Sequence, residues 1–257
     1  MLIVLYPSAV ESAEADQSLA AVVGRTPFEV RVWQRSRIPR VIAHPASLEE
    51  ANALVAGLER AGLSVETLDE AAFRRESDAL EVRLPMLDTA GIVAKDKNVR
   101  MDWASIATIV HSHTSASVAR TTSDVEVRYS PKGGRYTETV EHTRTERLQG
   151  EVLYLFPEQG RPWLLSMDTL KYAALGVPLR PTHRENFDVL LERIRAAATR
   201  ARYDDSLLHE SPPTSETINV RGTDSPGHVG PGVLLNFTAT LVHRRILGQR
   251  SPYRTPG

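Results

Sequence analysis

The chain has 257 residues, with 31 Lys plus Arg against 32 Asp plus Glu, and 41% hydrophobic against 25% charged residues. That balance suffices for a globular core in one large or two small domains and supplies no field to gather nucleic acid. Cysteine is absent, which excludes disulfides, thiol nucleophiles and cysteine-ligated zinc. The opening apolar run of about six residues is too short for a secretory leader, and no stretch approaches the ~20 apolar residues of a membrane span, so the expected location is the cytoplasm.

The first elements follow from caps and periods. MLIVLYP (residues 1–7) is an apolar run bounded by proline, a first strand, and residues 11–23 form a first helix. Thr26-Pro27 is an N-cap followed by proline at the first helical position, with Glu29 in support, and Phe28, Val32 and Trp33 supply that helix's buried side. Pro39 ends it, and residues 40–43 are a strand. Ser47 with Glu50 starts a further helix whose stripe is Leu48, Ala51, Leu54, Val55 and Leu58. Gly62 closes that helix, and Leu63, Val65 and Thr67 alternate as a strand. The order is β-α-α-β-α-β over residues 1–72, with a polar connection at 70–78.

With the pattern E-A-x-x-L-x-x-x-L-E-x-A-G-x-x-V-E at residues 50–66, this order resembles the C-terminal domain of ribosomal protein L7/L12 and its structural relative, the adaptor ClpS. The resemblance implies an open-faced α/β sandwich that docks other proteins and catalyses nothing. Gly24, Glu29 and Arg31 match the glycine, glutamate and lysine of the L7/L12 G-x-x-x-x-E-A-K helix. Most of the lysines of that family's factor-binding helix have no counterpart here. The ClpS N-D-D loop has none either, since Pro7-Ser8-Ala9-Val10 follows the first strand. What the resemblance implies is the shape and a docking helix at 26–37, whose partner-binding residues would be Arg31, Trp33 and Arg35.

From residue 79 the period changes to two. Strands are expected near 80–84, 91–94, 99–103, 106–111, 152–156 and 163–167, followed by a helix that Thr182 and Glu185 cap, with Phe187, Leu190, Leu191 and Ile194 as its stripe. Strands followed by one amphipathic helix make an α+β class, with the helix placed to plug a barrel end. The spacing Trp103, Ile106, Ile109 after GIVAKD resembles the bacterial pleckstrin-homology-like domain, which implies an antiparallel barrel over 79–205 that binds proteins or lipid headgroups. Its first loop, residues 85–90, carries an acid and no base, against headgroup binding there. Within it, 119–147 is rich in threonine and charge with Pro131-Lys132-Gly133-Gly134 at its centre. It is expected as a projecting hairpin, either a tolerated insertion or a strand-pairing arm for a partner.

The stretch 209–232 is dense in Pro, Gly, Ser and Thr and is expected as a flexible linker. Val233 to Arg250 turns apolar again: a short tail helix that packs on its own domains or docks on a partner or a membrane surface. His111 and His113, two apart on a strand, share a face and would chelate zinc if His142 or Asp102 joined them, the basis of a metal-dependent enzyme alternative. No H-E-x-x-H, G-x-S-x-G, S-x-x-K or phosphate-loop motif is present. The sequence therefore points to a protein with no cofactor, metal or catalytic group, an adaptor whose partner is another protein and not nucleic acid.

Overall fold

The computed structural model describes residues 1–7, 12–35, 38–129, 135–175, 178–209 and 231–248; of 115–149 and 231–234 it describes the backbone alone. In chain order these form β1 (Leu2–Tyr6), α1 (Ala13–Val23), α2 (Pro27–Gln34), β2 (Arg40–Ala43), α3 (Leu48–Arg60), β3 (Ser64–Leu68) and α4 (Glu70–Glu76). Then follow β4 (Leu80–Glu81), β5 (Pro85–Leu87), β6 (Gly91–Ala94), β7 (Val99–Asp102), β8 (Ile106–Tyr129), β9 (Arg135–Pro157) and β10 (Trp163–Ser166). The chain closes with α5 (His183–Ala197), β11 (Arg202–Asp205), α6 (Ser206–His209) and α7 (Pro231–Leu247). The class is α+β, with three sheets ordered β2-β1-β3, β11-β8-β9-β10-β4 and β5-β6-β7.

The N-terminal order is the one expected, and its caps are physical. Thr26 and Glu29 exchange hydrogen bonds in a capping box, and the Ser47 hydroxyl accepts from the Glu50 amide. The Glu50 carboxylate reaches one residue further back, accepting from the Ala46 amide at 2.8 Å. Gly62 stands at φ 84°, a left-handed stop that costs glycine little. Strand β1 lies between two antiparallel neighbours. Ile3 and Leu5 face α1, α2 and α3, while Leu2 and Val4 face the opposite way. Successive strand residues point to opposite faces, so an unbroken apolar run means both faces are covered.

Three expectations are corrected here. The sandwich is not open-faced, because Leu2 and Val4 pack with Leu68, Phe73, Phe237 and Leu241, which places α4 and α7 on the second face. No sheet closes into a barrel among the described residues: the β-rich part is a five-stranded and a three-stranded sheet, and the outer pairings β10–β4 and β11–β8 are parallel. The two edge strands of the larger sheet, β11 and β4, do not pair with each other, so it stays open. Finally, the tail helix packs on its own chain, one of its two expected forms, but it is not short. Helix α7 begins at Pro231, before the expected segment, and is 17 residues long, with Phe237, Ala239, Leu241 and Val242 each at most 7% exposed.

Sheet alternation explains where α7 lies. In β9, Leu153 and Leu155 face α5 together with Ile106, Ile109, Phe187, Leu190 and Ile194. Val152, Tyr154 and Phe156 face the other way and meet Leu235, Ala239 and Val242. One side of α7 thus fills the β1 face and the other fills the β8–β9 face. Polar pairs fix its register: the Tyr154 hydroxyl donates to Asn236 Oδ1 at 2.7 Å, and Arg244 reaches Glu66 at 3.2 Å and Glu76 at 2.6 Å. The three-stranded sheet shares the α5 core through Ile92, Ala94 and Met101. Gly91 is obligatory there, since a Cβ would stand 2.3 Å from the Met101 carbonyl oxygen.

Residues 114–150, the distal parts of β8 and β9, form a second compact unit. The expected hairpin is therefore the continuation of two core strands of 24 and 23 residues. The turn at Pro131 to Gly134 and the linker at 210–230 lie outside the described residues. No described helix is long and apolar enough to cross a membrane.

Breaking the charge pair on α7 tests this packing. Glu66 is 8% exposed and accepts from both Arg244 and the Tyr6 hydroxyl, the latter at 2.7 Å. Arg244→Met is expected to lower unfolding free energy by about 3 kcal/mol in urea titration, because it strands a buried carboxylate. A loss under about 0.5 kcal/mol would show the pair to be solvated in effect.

Candidate functional site

Two places in the molecule bear on function: a buried polar network on the α5 side of the five-stranded sheet, and the outward face of α2.

The network begins at His111. Strand β8 delivers Ile109 to the α5 core, and two residues on it delivers His111 to the same face, against Phe187 at 5.9 Å. Its side chain is 5% exposed, and both ring nitrogens are engaged. Nε2 lies 3.0 Å from Glu151 Oε2, and Nδ1 lies 2.9 Å from the Tyr203 hydroxyl. Glu151, the first residue before the apolar run of β9, is 4% exposed and is paired through Oε1 with Arg184 at 2.7 Å. Arg184 belongs to the first turn of α5 and also approaches Asp188 at 3.8 Å. The Arg195 guanidinium covers the Tyr203 ring at 4.1 Å.

One proton arrangement satisfies every atom. Glu151, held by Arg184, accepts from Nε2–H, which leaves Nδ1 to accept the Tyr203 proton. Burial holds the His111 pKa below its ordinary value, with Glu151 acting in the opposite direction. Burial likewise raises the pKa of the Tyr203 hydroxyl. A tyrosine kept protonated against a neutral imidazole is a donor rather than an activated nucleophile. What the cluster does physically is tie β11 and α5 to β8 and β9 through satisfied buried bonds.

Among the described residues, the zinc geometry considered for His111 and His113 does not form. His111 has no ring nitrogen free, and His113 is half-exposed with Nδ1 4.0 Å from Glu151 Oε1. Asp102 pairs with Arg100 at 3.2 Å, and the His142 side chain lies outside the described residues. Among the described residues no group of three or more His, Asp or Glu is arranged to hold a metal ion.

Helix α2 is turned the other way from the expectation. Val30 and Gln34 are its buried residues. Phe28 is 73% and Val32 55% exposed, so these two do not form its inner side. Phe28, Arg31, Val32 and Arg35 stand at i, i+3, i+4 and i+7, a single stripe two turns long. The candidate partner-binding residues separate accordingly. Arg31 and Arg35 share the stripe. Trp33 is half-buried off it, beneath the Arg40 guanidinium at 5.7 Å. Arg31 also has a structural task, donating to Asp16 of α1 at 2.8 Å, and that carboxylate is 5% exposed.

Sequence reasoning singled out His111 and missed Glu151 and Tyr203, which meet it across 40 and 92 residues of chain, and Arg184, which holds Glu151. The available signal was Glu151 itself, a charged residue directly before a run, 152–156, that is apolar on both faces. Comparison of the chain with models of known families, with curated proteins and with solved structures finds no match in any of the three.

Removing parts of the network should rank by what is left unpaired. His111→Leu, which strands Glu151 and the Tyr203 hydroxyl together, is expected to cost about 2–3 kcal/mol, and Tyr203→Phe about 1 kcal/mol, in denaturant titration. The reverse order would contradict a clamp centred on His111.

Proposed function

We propose that the protein is a non-enzymatic adaptor or regulator that holds another protein against α2 of an L7/L12- or ClpS-like N-terminal sheet, with the β-rich part, PH-like in its strands-then-helix order, as the second element of the platform. The observation that carries this is the exposure of Phe28 and Val32, one turn apart on a stripe that also bears Arg31 and Arg35. Large apolar side chains grouped on a solvent-facing stripe mark interaction surfaces, and arginines beside them supply direction through hydrogen bonds. The short, doubly capped helix presents them rigidly, because the Arg31–Asp16 bond and Val30 fix its rotation on α1. The polar network around His111 supports the same reading, since each of its groups is committed to a structural bond. The membrane-surface alternative has less support: of the apolar residues of Val233 to Arg250 that would enter an interface, Leu235, Phe237, Ala239, Leu241 and Val242 are buried within the chain.

Affinity capture from native cytosol, followed by binding titration of the captured protein, tests the surface. Phe28→Ser with Val32→Ser is expected to leave the melting temperature within a few degrees, as both side chains are exposed, and to weaken partner binding at least tenfold. Arg31→Glu is avoided as a charge variant, because it would also strand the buried Asp16. Retention of every partner by the double serine variant would contradict the choice of α2.

A further inference from the structure

One imidazole joins α7 to the five-stranded sheet, and its surroundings make the joint sensitive to protons. His243 Nδ1 lies 3.0 Å from the hydroxyl of Thr108, a residue of β8 that is 0% exposed. The ring lies flat on Phe156 of β9, with centroids 4.4 Å apart and an angle of 7° between planes. Its flanks are cationic: Arg244 and Arg245 follow it, and Arg202 of β11 donates to the Ile246 carbonyl oxygen. The acids on the neighbouring elements are matched elsewhere. Glu66 of β3 and Glu76 of α4 hold Arg244, and Asp204 of β11 holds Arg245. The nearby tyrosine hydroxyls are engaged as donors, Tyr6 to Glu66 and Tyr154 to Asn236. A second ring proton on His243 would thus place a positive charge in a buried joint, beside two arginines and with no counter-ion in contact among the described residues.

We propose that His243 is an acid-operated latch, and that taking up a proton releases the C-terminal half of α7 from the β8–β9 face and uncovers the apolar side chains Val110, Val152 and Phe156. Those residues otherwise share a core with Ala239, Val242 and Ile246 of α7. The device stands apart from the α2 surface and does not depend on it.

The direction follows from linkage. Burial, the largest cause, holds the His243 pKa at about 4, below the ordinary 6.5; Glu76 acts the other way, and Arg244 adds a smaller lowering. The docked helix prefers neutral His243, so docking is at full strength above pH 6.5 and is lost as pH falls from 6.5 toward 4. Between pH 7.5 and pH 4.5 those values correspond to a nearly hundredfold weakening of docking.

Hydrogen exchange of the full chain, corrected for the intrinsic rate at each pH, reads this directly. In the natural protein, protection of the amides at 239–247 should fall by roughly a hundredfold from pH 7.5 to pH 4.5. In His243→Gln, which keeps a partner for Thr108 without titrating, it should change less than about threefold. The carboxylates that hold Arg244 and Arg245 are the same in both chains, so their protonation cancels. His243→Met, a second residue that does not titrate, replaces glutamine if that variant fails to fold. Equal loss of protection in the natural chain and a variant would overturn the latch, as would a natural chain that keeps its protection at pH 4.5.

Discussion

The structure depends on the burial of one helix on two sides. The N-terminal sheet and the five-stranded sheet each have a face that their own local helices do not close: Leu2 and Val4 on β1, which α4 covers in part through Phe73, and Val152, Tyr154 and Phe156 on β9. Both faces are apolar and both are closed by α7. A helix that must serve two surfaces has no solvent stripe over most of its length, so its polar residues need partners inside. Asn236, Thr240 and His243 have them: the Tyr154 hydroxyl, the helix's own Asn236 carbonyl and the Thr108 hydroxyl. Arg244 extends the same logic to the rim, where it joins α7 to β3 and α4. Such satisfied polar pairs set the register of a packed helix more sharply than apolar contact does.

The same constraint explains which parts of the fold were legible in the sequence. Caps and stops are local chemistry, and the capping boxes at Thr26 and Thr182 and the left-handed Gly62 stand where the residues put them. Strand β1 was recognisable from its apolar run, but the same run, LIVLY, carried the further message that both its faces are covered. An open-faced sandwich needs alternation, and β1 has none. Helix α7 was underestimated for a related reason. A helix buried on two sides loses the 3.6-residue period by which helices are recognised, and its apolar residues resemble a short tail. The barrel failed because strand count and alternation say nothing of closure, which depends on pairings such as Tyr203 with Ile109 that join distant segments in parallel.

The two functional regions differ in how they could be found. On α2 the sequence located the helix but reversed its orientation, since Phe28, Val30, Val32 and Trp33 offer apolar residues to more than one side. Phe28 and Val32 face water because Val30 is the residue that fits the α1–α3 core. At His111 the strand spacing indicated a shared face with His113. The partners that define the cluster, Glu151 and Tyr203, come from strands whose adjacency no local pattern encodes. With these groups committed to one another, the exposed Phe28 and Val32 of α2 are what the docking proposal rests on.

Thermal and urea unfolding of Phe237→Ala, followed at once by signals from both sheets, tests the shared helix most directly. Phe237 is 7% exposed and packs edge-on to Phe73 at 5.1 Å, on the N-terminal side of α7. If α7 makes the two sheets one cooperative unit, the substitution should destabilise both by the same amount, about 3–5 kcal/mol, in a single shifted transition. Two separate transitions, with only the N-terminal one displaced, would show that the sheets fold independently and that α7 does not unite them.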